Sequence, residues 1–340
     1  MATLRSDIIV PEVFTPYVIE ATTARDAFLA SGVVQPMAEL NATEGGDFIN
    51  VPFYKANLTG DFEVLSDSTS LTPGKITADR QTGVILHRGR AFEARDLAAL
   101  AAGSDPMAAI GAKVANYVNH QRQKDLLSCL AGVFGSLGST SSSAAFFPLT
   151  IDGESGDTPT VLSPRHVAEA KSLLGDQGEK LTAMCVHSKV YYDLVERRAI
   201  DFIYDNTGAG DTAADSGSTA NAFGQVSVPT FMGLRVIVSD DVQTDGSGAT
   251  TEYATYFFTQ GAVASGEQLA MQTETDRDIL AKSDAMSIDL HYCYHPVGSR
   301  WTASTVNPTR AQLETVGNWS KVYETKNLGI VRVTNTSNMD

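Results

Sequence analysis

A short segment near the end of the chain reads His-Tyr-Cys-Tyr-His, with His291, Cys293 and His295 at alternate positions. On a β-strand alternate side chains share one face, so these three could converge on one metal ion. Cys185 and His187 alternate in the same way, and Zn²⁺ binds such nitrogen and sulfur ligands. Nothing in the sequence brings the two segments together, and the turn spacing of a Cys-x-x-Cys site is absent. Two interpretations of this segment remain, a metal site and ordinary packing of aromatic and histidine side chains. We favour packing and expect no metal and no cofactor.

The remaining motifs indicate no enzyme. Residues 208–213 match the glycine pattern of a dinucleotide fingerprint, which binds pyrophosphate only in a tight turn between a strand and a helix. Here the pattern lies in a polar loop with no strand before it. The Gly74-Lys75 pair lacks the upstream glycine and the following hydroxyl of a phosphate-binding loop, and no Gly-x-Ser-x-Gly elbow occurs. No carboxylate pair is placed for acid–base work, so we predict no catalytic residue.

Composition favours a protein that assembles with other copies. Of the 340 residues only 19% are charged, below the ~25% of typical soluble domains, so part of the surface must be neutral or covered. The net charge of −15 argues against nucleic-acid binding as the main role, since phosphate binding depends on Lys and Arg. The charge is uneven: residues 80–95 hold four arginines and one glutamate, and 201–222 hold four aspartates and no base. Complementary patches suit lateral self-association, although uneven surface charge without consequence fits equally.

Two further features indicate in which compartment the protein is found. Cys129, Cys185 and Cys293 are an odd number without paired spacing, which predicts buried thiols in a reducing compartment. No apolar stretch approaches the ~18–20 residues that a transmembrane helix needs, so we expect no membrane partner.

The first part of the chain contains segments that are too thin to bury a core alone. Residues 1–45 are interrupted by three prolines and predict an extended arm with a short helix at 19–29. The next segment predicts strands at 48–54, 62–65 and 82–92 around a turn-rich polar tip. The simplest arrangement is a long two-stranded ribbon. Because a lone ribbon is only marginally stable in water, we expect it to lie on a neighbour, in this chain or the next.

The strongest periodic pattern predicts a long helix at 105–137, with Pro106 in its first turn and Gly135 and Gly138 at its end. Beyond Pro159 the pattern predicts a second lobe, in which 205–222 form an acidic loop. Its helices are expected at 163–174 and 188–198, and its strands at 181–186, 234–238 and 253–259, with a strand at 286–294 returning to the first lobe.

Seven segments, in order over residues 46–335, resemble the gp-thirteen-like major capsid family of tailed bacteriophages. The order of arm, ribbon, long helix, second lobe and return strand is that of the Hong Kong 97-type phage capsid fold. The most distinctive segments are 295–301, HPVGSRW, and 318–327, NWSKVYETKN; the others begin at Gly46, Asp105, Leu174, Gly233 and Phe258. No long charged coiled-coil segment precedes the arm, so we expect a separate scaffold protein, or none.

The resemblance implies an α+β fold and a domain organisation. The expected parts are an N-terminal arm at 1–45, an extended loop at 46–92, a peripheral domain at 93–158 and 286–340 with its spine helix, and an axial domain at 159–285. The ribbon should reach over an adjacent subunit, and inter-subunit contacts are expected at Lys55, Lys75, Arg88 and Arg90. Some relatives crosslink subunits through a loop lysine, but the partner residues cannot be matched here.

The resemblance also implies a function. The chain is expected to self-assemble as hexamers and pentamers into an icosahedral shell around the double-stranded DNA of a tailed phage. It would form in the host bacterial cytoplasm and reside in the virion, with scaffolding, portal and decoration proteins as partners and DNA held without sequence specificity. Two alternatives remain open: an encapsulin-like compartment, and a metal-dependent enzyme built on the alternating histidines and cysteine.

Overall fold

A computed structural model describes most of the chain. The described residues are 31–41, 45–55, 62–64, 71, 73–96, 106–135, 137, 150–151, 160–204, 227–246 and 251–339. The predictions that fall elsewhere, namely the helix at 19–29, the glycine pattern at 208–213 and the acidic loop at 205–222, lie outside these residues.

The described residues form two compact units. The first comprises residues up to Pro148 together with Gly261–Leu328, and the second comprises Leu149–Gln260 with Gly329–Asp340. The strands are β1 (Val34–Pro36), β2 (Phe48–Tyr54), β3 (Ala78–Val84), β4 (Leu86–Arg95), β5 (Thr150–Ile151), β6 (Leu181–Val186), β7 (Asp201–Tyr204), β8 (Ser227–Phe231), β9 (Leu234–Val238), β10 (Thr244–Asp245), β11 (Glu252–Thr259), β12 (Val263–Asp278), β13 (Ser283–Pro296), β14 (Ser299–Trp301), β15 (Trp319–Lys321) and β16 (Ile330–Asn335). The helices are α1 (Pro106–Phe134), α2 (Pro164–Leu173), α3 (Ser188–Glu196) and α4 (Arg310–Leu313), with short 3-10 helices at Ala38–Leu40, Gly175–Lys180, Val316–Asn318 and Thr325–Asn327.

A four-stranded sheet in the order β1-β12-β13-β4 lies at the centre of the first unit. β12 and β13 form a long antiparallel hairpin, β4 pairs antiparallel with β13, and β1 pairs parallel with β12. β1 belongs to the segment that the sequence assigned to an extended arm. The end of that segment is instead packed into the unit, because Val33, Val34 and Leu40 are buried.

The long helix predicted at 105–137 is confirmed as α1. Its 29 residues span about 43 Å at 1.5 Å per residue, and it ends where Gly135 adopts a positive φ of 85°. Its first half packs on the sheet, where Val114 and Val118 meet Met286 and Ile288 in a buried cluster. Among the described helices none is long and apolar enough to cross a membrane.

The predicted ribbon is confirmed in part and shorter than expected. β2 and β3 pair antiparallel from Phe48↔Val84 to Tyr54↔Ala78, and we call these strands with the residues between them the ribbon. The strand predicted at 82–92 is wrong in its continuity, because Ile85 separates β3 from β4 and its N–H bonds to Asp47 O. β4 then joins β13, so Arg88 and Arg90 lie in the central sheet and not in the ribbon. The strand predicted at 62–65 is also wrong, since residues 62–64 form no strand.

The second unit is built on an eight-stranded sheet. Seven strands follow the order β5-β16-β11-β6-β9-β8-β7, and β10 pairs with β11. The helices predicted at 163–174 and 188–198 are confirmed as α2 and α3, and the three predicted strands as β6, β9 and β11. His187 caps the N-terminus of α3, because its Nδ1 accepts the Lys189 N–H.

The observed units divide the chain at different positions from the predicted domains. The sequence placed 263–278 in the axial domain, but β12 pairs along β13 in the first unit. The sequence placed the last residues in the peripheral domain, but β16 pairs with β5 and β11 in the second unit. Strand pairing over long sequence distances sets both boundaries, and local sequence does not report it.

Candidate assembly surfaces

A buried carboxylate fixes the middle of α1 to the sheet and to α4. Asp125 accepts hydrogen bonds from Tyr292 Oη at 2.6 Å, from Arg88 Nε at 3.2 Å and from Arg310 Nε. Its side chain is only 1% exposed, so the two guanidinium groups supply the compensation that a buried charge requires. Burial and the charge of Asp125 raise the pKa of Tyr292, so its hydroxyl remains a donor.

Arg88 is engaged within its own subunit. Beyond Asp125, its Nη1 donates to Asn307 Oδ1 at 2.7 Å and its Nη2 to Pro308 O at 2.8 Å. The backbone N–H of His87 donates to the same Asn307 oxygen at 3.1 Å. The structure thus places this sequence-predicted contact residue in an internal network, where its guanidinium holds the segment before α4.

A cavity of about 180 Å³ opens between α1 and the strands β4 and β13, and we call it the arginine pocket. Its lining includes four arginines and three aliphatic side chains: Arg88, Arg90, Arg122, Arg310, Val118, Ile288 and Leu290. Among the described residues, two carboxylates pair with these four cations. Asp125 lies at the rear of the pocket, and Glu267 lies 3.2 Å from Arg122 Nη2. The side chain of Arg90 is exposed and forms no ion pair with any described residue. Among the described residues, these four arginines and the two carboxylates that pair with them sum to a net charge of +2.

The ribbon presents apolar side chains to solvent. Phe62 and Val64 have exposed fractions of 106% and 91%, and Tyr54, Leu71 and Ile76 are also more than half exposed. Lys75 lies among them and is exposed. Five large apolar side chains exposed on one segment make the ribbon a candidate interaction surface.

The base of the ribbon is anchored by polar contacts to the end of β13 and beyond. Gln81 is buried, and its Oε1 accepts from Gly298 N at 3.0 Å while its Nε2 donates to Tyr323 Oη at 2.7 Å. Asp79 lies 3.5 Å from Lys55 Nζ and 3.2 Å from Arg300 Nη1. Lys55, the second predicted contact residue on the ribbon, is half exposed and thus remains accessible despite this ion pair.

The residues considered as metal ligands do not form a cluster. His291 stacks on His87 with ring centroids 4.3 Å apart, whereas Cys293 and His295 approach Gly83. Burial raises the pKa of Cys293 and of Cys185 to about 12, so both thiols are protonated at neutral pH. Within the described part of the chain no three His, Cys, Asp or Glu side chains are grouped to hold a metal ion. All three cysteines are buried free thiols, as the sequence predicted.

The buried His295 is expected to make the stability of the subunit depend on pH. Its Nε2 lies 3.2 Å from Gln81 Oε1, and burial lowers its pKa from 6.5 to about 4. The unfolded chain therefore binds a proton that the folded chain does not between these pH values. Stability from this group is complete above pH 6.5 and is lost as the pH falls towards 4, by about 3 kcal/mol.

Urea denaturation at a series of pH values between 4 and 7 measures this loss. We expect His295→Gln to have a flatter stability profile in this window than the wild type. Equal slopes for the two proteins would contradict the assignment.

The sequence did not identify the Asp125 network or the arginine pocket. One signal was present: residues 114, 118, 125 and 129 follow helical spacing, and Asp125 is the charged member of an otherwise apolar stripe. A charge at such a position predicts a buried partner, but Tyr292 and Arg310 lie 167 and 185 residues further along the chain.

Comparisons with known proteins agree in sequence and in fold. A family model described as Gp13-like, Major capsid protein 13-like, matches residues 37–329. The major capsid protein of Bacillus phage SPP1 is 34% identical over 336 residues, which are 96% of each chain. The capsid of Ralstonia phage GP4 has a TM-score of 0.56 at 10% identity and covers 91% of this chain and 88% of its own. The Cyanophage Pam1 capsid asymmetric unit has a TM-score of 0.55 at 14% identity, with 93% of both chains covered. The structural likeness confirms the predicted α+β phage capsid fold.

Proposed function

This chain belongs to the Gp13-like family of major capsid proteins, and from this membership we propose that its copies assemble as hexamers and pentamers into an icosahedral shell around the double-stranded DNA of a tailed phage. The chain is a structural protein of the virion that forms the capsid shell, and it is not an enzyme. The alternatives of a metal-dependent enzyme and an encapsulin-like compartment are therefore set aside.

The ribbon is the observation that supports this assembly best. Within the described part of the chain its two strands pair only with each other, and the segment between them leaves Phe62 and Val64 exposed. A two-stranded ribbon with exposed apolar groups gains stability when a second copy covers it. The ribbon thus reaches over an adjacent subunit, with Lys55 and Lys75 contacting that neighbour.

The two units correspond to the domains of the capsid fold in this proposal. The first unit, with α1 as its spine helix, is the peripheral domain, and the second unit is the axial domain near the centre of each capsomer. The net charge of −15 suits a container that encloses a polyanion without binding it tightly. Scaffolding, portal and decoration proteins complete the particle, which assembles in the host cytoplasm.

Negative-stain electron microscopy of the chain, co-expressed with the neighbouring genes of its phage, tests the proposal. We expect closed shells from the wild type. Replacing Phe62 and Val64 together with serine should leave the subunit folded but remove the shells, because the covered apolar surface is lost. Phe62→Leu with Val64→Ile keeps that surface apolar and should assemble normally. A wild type that yields only monomers would contradict the function.

A further inference from the structure

We propose that the arginine pocket binds one small divalent oxyanion of the size of inorganic phosphate. This site goes beyond the shell function, because it belongs to the single subunit and needs no second copy of the chain. Three features of the described residues support it: a positive charge that is not compensated, guanidinium N–H groups without a partner, and a cavity on which those groups converge.

The charge of the pocket matches that of a dianion. Four guanidinium groups line the cavity, and the two carboxylates that pair with them among the described residues leave a charge of +2. Cations that converge on one cavity repel each other, and a dianion removes that repulsion in a single binding event. Because the whole chain has a net charge of −15, anions are repelled from the protein in general, and their binding reports a local site.

Three of the four arginines retain N–H groups for a ligand. Arg122 and Arg310 are hydrogen-bonded through Nε and Nη2, so their Nη1 groups have no partner among the described residues. The guanidinium of Arg90 is exposed and likewise has no ion pair within the described part of the chain. Arg88 uses all three of its nitrogens inside the subunit and contributes only charge. A tetrahedral oxyanion can accept charge-assisted hydrogen bonds from several guanidinium groups at once.

Two of these cations are held in position before a ligand arrives. Arg122 donates from Nε to Tyr294 Oη at 3.0 Å, and its Cζ lies 5.2 Å from the centre of the Tyr292 ring. Arg310 donates from Nη2 to Gln121 Oε1 at 2.7 Å, which fixes its guanidinium against α1. Donors that are already fixed lose less conformational entropy when a ligand binds.

The size and the walls of the cavity favour a free small anion over a polymer. Its volume is about 180 Å³, and Val118, Ile288 and Leu290 line it beside the arginines. Such low-dielectric walls concentrate the field of the cations inside the cavity. A DNA backbone is instead bound by cations spread along a surface, because its phosphates recur at regular intervals.

Isothermal titration of the purified full-length chain with sodium phosphate, at constant ionic strength in an amine buffer, tests the site. We expect one phosphate to bind per chain. Sulfate, which is also a divalent tetrahedral oxyanion, should bind with similar affinity. Acetate should bind about tenfold more weakly or worse, because it brings one charge and two oxygens.

Two substitutions at the pocket should change the affinity in opposite directions. Arg90→Gln should weaken phosphate binding about tenfold or more, through the loss of charge-assisted hydrogen bonds. Glu267→Gln removes the carboxylate that shares Arg122 with the ligand, so it should tighten binding about threefold or more. Arg95→Gln is the matched control, because it makes the same change at an exposed position of β4 outside the pocket, and it should bind like the wild type.

Other results would overturn the site. These are no binding at up to about 10 mM phosphate, an unchanged affinity in Arg90→Gln, weaker binding in Glu267→Gln, or an equal loss in Arg95→Gln. Displacement of phosphate by a double-stranded oligonucleotide at the same concentration of phosphate groups would reassign the pocket to nucleic acid. Because none of these titrations requires a shell, failure here is distinguishable from failure of the proposed function.

Discussion

Replacing Asp125 with alanine is expected to lower the free energy of unfolding of the subunit by about 3 kcal/mol, the lower end of the range for breaking a buried ion pair. The substitution leaves Arg88 and Arg310 facing each other without their shared carboxylate, and it leaves the buried hydroxyl of Tyr292 without an acceptor. The lower end applies because the two arginines are 26% and 38% exposed and gain some hydration.

Urea denaturation, followed by the fluorescence of the buried Trp301 and Trp319, measures the effect. Asp284→Ala is the matched control, because it removes an exposed carboxylate that lies 2.9 Å from Arg277 Nη1 in the same sheet. Exposed pairs contribute at most about 1 kcal/mol, so the control should unfold near the wild-type midpoint. Equal losses of unfolding free energy in the two variants would show that the buried ion pairs of Asp125 stabilise the subunit no more than an exposed pair does.

Gly132→Ala should destabilise the subunit by about 2–3 kcal/mol through overpacking at the end of α1. A Cβ at this position would overlap the carbonyl oxygen of Leu313 and lie 2.6 Å from Trp319 Nε1. These two groups are hydrogen-bonded to each other at 2.7 Å, so the helix cannot move aside without breaking that bond. A side chain at residue 132 therefore separates the spine helix from α4 and from β15.

Thermal unfolding of Gly132→Ala beside Gly317→Ala checks this expectation. Gly317 lies in the adjacent 3-10 helix, and a Cβ there would have no atom within 4 Å. Both variants change glycine to alanine, so effects on the unfolded chain are similar and the difference reports the close packing. A Gly132→Ala protein as stable as its control would contradict the predicted steric conflict.

Elements whose stability is encoded locally could be predicted from the sequence. α1 was identified from its apolar spacing, with Pro106 in its first turn and Gly135 after its end, because all three signals lie within one segment. β6 and β9 were identified because parallel strands buried on both faces are nearly all apolar.

Elements that depend on distant partners could not be predicted. The boundary at Ile85 is not visible in sequence, since β3 and β4 both fit an extended pattern and only their partners, β2 and β13, differ. β12 is polar over most of its length and is held as a strand by pairing with β13.

The candidate site shows the same limit at single residues. Arg88 and Arg90 are two positions apart on one strand and look equivalent in sequence. Their roles separate only because Asp125 and Asn307 lie beside Arg88 in the folded subunit. Asp125 itself was visible as a charge in an apolar stripe, but its three partners come from three other segments.

The long-range pairing of the central sheet determines how late in its synthesis a subunit can complete its fold. β4 cannot pair with β13 until β13 has been synthesised, nearly two hundred residues later. The arginine pocket is complete only when Arg310 has also been synthesised. β16, close to the end of the chain, then takes its place between β5 and β11. Nascent chains that have not reached this point therefore lack a finished central sheet, although β2 and β3 have already been synthesised. A subunit can therefore complete both of its large sheets only when its own synthesis is nearly over.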